Sequence, residues 1–116
     1  MEAPGQTALN PLELAILLRM ADATPALRLL IPRLHVLSRE FTGVGSYTSF
    51  LARGSAPEPG SKPITLKSVI NVPGVKHGMA AVLFCKDGKP EALETCTFGE
   101  EKWDGNYEGF SISEAT

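Results

Sequence analysis

Hydrophobic and polar positions divide the chain into two regimes. From Asn10 to Ile31 the apolar residues are dense and spaced for helices. From Arg33 onward β-branched and aromatic residues rise and polar positions interleave with them. Asn10 is a good N-cap, Pro11 suits the first helical position, and Glu13 completes a capping box. Leu9 and Leu14 are spaced for a hydrophobic staple. The pattern predicts a helix from Pro11 to about Asp22, with Leu14, Leu17, Leu18 and Ala21 on one face. Leu12, Ile16 and Met20 lie elsewhere around it, so the helix is expected to be covered on more than one side. Thr24-Pro25 repeats the start signal, and a shorter helix should follow to Ile31, where Pro32 disfavours helical dihedrals.

The remainder reads as strands. These are Arg33–Phe41, then Ser46–Ala52 after a turn or glycine bulge at Gly43-Val44-Gly45, and a third over Ile64–Val72. Pro73-Gly74 marks a turn. Met79–Cys85 is almost wholly apolar, which predicts a central strand buried on both faces. Asp87-Gly88 is the sharpest local signal, a two-residue hairpin whose partner strand runs from Glu91 to Phe98. An unbroken register there would set Cys85 opposite Pro90, Val82 opposite Leu93 and Cys96 opposite Met79. Helices first and strands afterwards imply an α+β fold, with N-terminal helices packed on an antiparallel meander sheet of four to six strands. Residues 1–116 form one domain in this reading. Residues 1–9 and about 112–116 should fray, and 53–63, rich in proline and glycine, should be an exposed loop.

Composition narrows the classes of function. Hydrophobic residues at 43% against 21% charged exclude a disordered chain. A net charge of −2 gives no general attraction to nucleic acid or to an anionic membrane, and no apolar run approaches the roughly 20 residues of a membrane helix. Met1 to Gly5 show no signal-peptide pattern, which points to a cytoplasmic protein. Charge is segregated. Between residues 59 and 90 five lysines stand against Asp87, net +4; between 91 and 116 seven carboxylates stand against Lys102, net −6. An acidic end of this kind suits either a solvated surface or a basic partner.

Candidate chemistry is sparse. There is no nucleophile elbow, phosphate loop or dinucleotide fingerprint, and His35 and His77 form no metal-ligand spacing, so no cofactor is expected. The unbroken hairpin register puts both thiols on one face about 20 Å apart, too far for a disulfide. Cys96 with His77 is the one nucleophile and base that the pattern brings near each other. Arg39, Tyr47 and Thr48 can converge beside the Gly43 turn, around either an internal Arg39–carboxylate pair or a small pocket.

The segments Arg39-Glu40-Phe41-Thr42-Gly43-Val44-Gly45, Leu83-Phe84 with Asp87-Gly88, and Leu93-Glu94 with Thr97-Phe98-Gly99 and Trp103 together resemble a pattern in small bacterial proteins of uncharacterised function. The likeness spans about half the chain. It implies a bacterial stand-alone domain and carries over no catalytic residue.

These readings favour a small intracellular binding or interaction protein, possible in an immunity-like form with an acidic C-terminal surface. The alternative is a small enzyme or ligand-binding domain with a pocket around Arg39 and Tyr47 and a Cys96/His77 pair. The candidate contact residues are Arg39, Glu40, Tyr47, Thr48, His77, Glu94 and Trp103. The expected partner is another protein or a second copy, docked through the first helix or an edge strand, with no nucleic acid and no membrane.

Overall fold

Asn10 opens the first helix as its sequence predicts. In the computed structural model, which describes residues 8–52 and 62–114, the Asn10 side chain accepts from the Glu13 N–H at 2.8 Å and Glu13 accepts from the Asn10 N–H at 2.9 Å. Helix α1 (Pro11–Ala23) buries Leu12, Glu13, Ile16, Leu17, Met20 and Ala21. Leu14 and Leu18 remain exposed, so the helix is covered on one side only, contrary to the expectation from its apolar content. Helix α2 (Ala26–Leu30) tightens into a 3-10 turn at Ile31–Arg33, where Pro32 prevents an α-helical continuation.

Seven strands follow: β1 (Leu34–Phe41), β2 (Gly45–Ala52), β3 (Ile64–Thr65), β4 (Ser68–Asn71), β5 (Met79–Lys86), β6 (Lys89–Thr97) and β7 (Ser111–Glu114). They form one antiparallel sheet in the order β1-β2-β6-β5-β4-β7, with β3 beside β4 along β5. The fold class is the α+β arrangement read from the pattern. The strand number exceeds the expected range for two reasons. The Ile64–Val72 stretch breaks into β3 and β4, and the chain end does not fray at 112 but pairs as β7. Ile112 lies opposite Ile70 against the core, and Arg19 of α1 donates to the Ile112 carbonyl at 2.8 Å. Most of the expected 53–63 loop, residues 53–61, and residues 1–7 of the expected frayed start lie outside the described residues. Leu9 packs against the core.

The core lies between the helices and one face of the sheet. Ile16, Leu17, Leu27, Ile70, Met79 and Leu83 are fully enclosed there. Overall dimensions of 41 × 39 × 20 Å match two layers. The other sheet face has no covering layer among the described residues. Strand β5 therefore buries Met79, Ala81 and Leu83 on one side and leaves Ala80, Val82 and Phe84 half-buried on the other, which corrects the expectation of burial on both faces.

Two bulges reset the register. In β1, Val36 pairs with Phe50 and Ser38 with Ser49, so Leu37 is an extra residue. Inward-facing positions change there from Leu34 and Val36 to Arg39 and Phe41. In β6, Cys85 pairs with Pro90 but Phe84 with Ala92, so Glu91 is extra, next to a proline that has no N–H for the ladder. Val82 consequently faces Glu94 instead of Leu93, and Cys96 faces Ala80 instead of Met79. The thiols thus lie on opposite faces, not on one. Cys85 packs against the core, where burial pushes its pKa up, and Cys96 is exposed; both are free. The hairpin turn itself is as expected, with φ of 53° at Asp87 and 76° at Gly88, a type I′ geometry. Gly88→Val should cost about 1–3 kcal/mol, because a β-branched residue strongly disfavours positive φ. A urea midpoint unchanged from wild type would contradict this turn assignment.

Candidate functional site

The bulge at Leu37 sends the densest polar-aromatic segment of the chain to two different faces of the sheet. Arg39 and Thr48 point inward under α1, where they meet Glu13. The Glu13 carboxylate accepts from Arg39 Nε and Nη2, both at 2.7 Å, from Thr48 Oγ1 at 2.8 Å, and from the Asn10 N–H. Arg39 Nη2 also reaches the Ala8 carbonyl at 3.2 Å. Hydrogen bonding to Glu13 raises the Arg39 pKa above its ordinary value, outweighing the opposing effect of burial. Glu13 is 5% exposed and Thr48 1%. With four donors, the carboxylate has filled its acceptor sites. Arg39 and Thr48 therefore form part of an internal pair that stitches the helix to β1 and β2. Tyr47 is not with them, which removes the expected pocket shared by Arg39 and Tyr47.

Tyr47 points to the uncovered face. Strand pairing sets Glu40 opposite Tyr47, Tyr47 opposite Glu94, and Glu94 opposite Val82, one line across β1, β2, β6 and β5. Neighbouring Cβ atoms in such a line are about 4.5–5.5 Å apart. The next line on the same face is Ser38, Ser49, Ala92 and Phe84. Beyond it lie Leu51, 44% exposed, and the exposed pair Lys86 and Lys89 at the hairpin. Three of the candidate contact residues, Glu40, Tyr47 and Glu94, thus share one surface with an apolar centre of Val82 and Phe84. Among the described residues none of Glu40, Glu94, Lys86 and Lys89 is in an ion pair.

His77 and Trp103 are elsewhere. The Glu101 carboxylate accepts from the Lys76 and His77 backbone N–H groups, both at 2.8 Å, and so holds the loop ahead of β5. Cys96 donates only to the Thr97 carbonyl, at 3.5 Å, and no hydrogen bond joins it to His77. Trp103 is buried. Its ring meets Phe41 edge-on at 5.7 Å, its Nε1 donates to the Asn106 carbonyl, and its backbone N–H donates to the Gly43 carbonyl. It anchors the C-terminal segment and forms one wall of an open trough of about 570 Å³ between the Thr42–Val44 turn and Pro73-Gly74.

The Glu101 contact implies a pH dependence. Accepting two backbone N–H bonds lowers its pKa below the ordinary carboxylate value. A lowered folded pKa contributes stability above the unfolded pKa, and that contribution is lost as pH falls through the folded value. The protection factors of the Lys76 and His77 amides, which correct for the intrinsic slowing of exchange in acid, should fall over that acid range in wild type. In Glu101→Gln they should be lower already at neutral pH and lose their acid dependence; equal protection in both proteins would exclude the contact.

Pattern reading identified Glu40, Tyr47 and Glu94 but missed Val82, Phe84, Lys86 and Lys89 as members of their surface. It also took Glu13 for a cap alone. The missing information was the pair of bulges, for which Pro90 was the only local sign. Neither a family model, nor a curated protein, nor a solved structure matches this chain.

Proposed function

We propose that this protein is a non-catalytic interaction module that binds through the uncovered face of its sheet, recognising a protein surface that carries basic groups around an apolar centre. The observation that carries this reading is the line Glu40–Tyr47–Glu94–Val82 with Phe84 beside it. A tyrosine between two carboxylates, next to half-buried aliphatic and aromatic side chains, supplies the rigid amphipathic anchor and charged surround of a recognition surface. The chemistry favours this over the enzyme reading. Arg39 is paired with Glu13, and no hydrogen bond joins Cys96 to His77 among the described residues.

The test compares capture by the immobilised wild type with capture by two variants. Tyr47→Ala removes the anchor, and Leu29→Glu alters an exposed residue on α2. Tyr47→Ala should lose the captured protein while melting normally, and Leu29→Glu should keep it. Equal capture by Tyr47→Ala and wild type would overturn the reading.

A further inference from the structure

The charges on the uncovered face are not evenly spread. Glu40 and Glu94 lie in one line, and Lys86 and Lys89 lie at the hairpin end, four residues farther along β5 from Val82, or about 14 Å. His35, opposite Leu51, sits at the same end as the lysines. The line of Ser38, Ser49, Ala92 and Phe84 runs midway between the two charged ends. The hairpin end also carries Asp87 in the turn and the exposed Glu91, but on the paired strands Glu94 and the two lysines stand two positions to either side of the middle line, so a half-turn about that line brings them together.

We infer that the occupant of this face is a second copy of the chain, packed sheet against sheet about a two-fold axis that runs across the strands at Phe84. The inference rests on the reading of this face as the binding surface. The rotation carries Glu94 of one copy over Lys86 and Lys89 of the other, and the reverse contact follows by symmetry. Glu40 meets the His35 end in the same way. Phe84 meets its own copy near the axis, with the buried Ala92 beneath it, and Val82, Tyr47 and Leu51 fill the space around it. Stacked sheets lie about 10 Å apart, a distance that side chains of this size span. Four strands of eight or nine residues and three of two to four residues, about 4.8 Å apart, present on the order of 700 Å², slightly below the roughly 800 Å² that each partner contributes to a standard interface. The location differs from the first helix or an edge strand expected from the pattern.

Sedimentation velocity of the full chain over a wide concentration range tests this. Wild type should approach twice the 12.4 kDa chain mass, with a dissociation constant that rises with added salt. Glu94→Lys should weaken the dimer roughly tenfold or more by setting like charges together, and Lys89→Glu should do the same. The double variant Glu94→Lys/Lys89→Glu, which exchanges the two signs, should recover most of the loss. A wild type that stays monomeric at the highest concentration overturns the second-copy occupant. So does a dimer whose affinity is indifferent to both single changes. Neither result touches the broader reading of the face, which falls only if Tyr47→Ala captures as wild type does.

Discussion

Glu13→Ala should be the most destabilising of the substitutions considered, at about 3–5 kcal/mol, the range for removing one member of a buried ion pair. The cost has three parts. Arg39 would keep its charge in a site of low exposure with no carboxylate to meet it; the Arg39 and Glu13 side chains are 21% and 7% exposed. The Thr48 hydroxyl, fully buried, would lose its acceptor. The Asn10 N–H would lose half of the capping box. No buried side-chain N or O atom among the described residues lacks a partner in the native protein, so the vacancy would be a new defect. Removing both charges tests the cause. Glu13→Leu with Arg39→Met should recover much of the loss, because apolar replacement of a whole buried pair is often neutral. The measurement is a double-mutant cycle by urea unfolding. A cost near 1 kcal/mol for Glu13→Ala, or additive single effects, would mean that the pair is solvated and weak.

Gly45→Ala should cost about 3 kcal/mol, the upper part of the usual overpacking range, although it adds one methyl group. The reason is close approach of backbone, not positive φ. A Cβ on Gly45 would run into the Thr95 carbonyl oxygen and lie 2.7 Å from the Thr95 carbonyl carbon and 2.9 Å from Cys96 Cα. All are main-chain atoms of β6, which cannot turn aside as a flexible side chain can. Relief would require β2 and β6 to separate where Gly45 pairs with Cys96, in the middle of the sheet order. Gly43→Ala, two residues earlier, is the control. Its φ of +94° is unfavourable to alanine, but a Cβ there meets nothing within 4 Å. Its cost should be only the local strain of about 1–2 kcal/mol. Thermal melts of the two variants decide the matter: if Gly45→Ala is no worse than Gly43→Ala, the two strands are not in such close contact.

These two predictions mark the division between local and long-range information. Short-range chemistry is written in neighbouring residues. Asn10, Pro11 and Glu13 start α1 because the side chains that satisfy its first N–H groups lie within one turn of them. Asp87-Gly88 closes the β5–β6 hairpin because few residue pairs accept positive φ in succession. Helices followed by strands already define the α+β class. The role of each side chain beyond its own element was not legible there. Side chains in a strand alternate between faces, so one extra residue exchanges inside for outside, and the bulges at Leu37 and Glu91 have only weak local marks. Arg39 and Glu40 are adjacent in the chain, yet one is enclosed with Glu13 and the other stands on the open face with Tyr47 and Glu94. Which of them is which depends on where α1 lies across the sheet, and that position follows from packing Ile16, Leu17 and Met20 against residues from distant strands. The uncovered face has the same origin, because it is the side of the sheet left over once both helices have settled on the other.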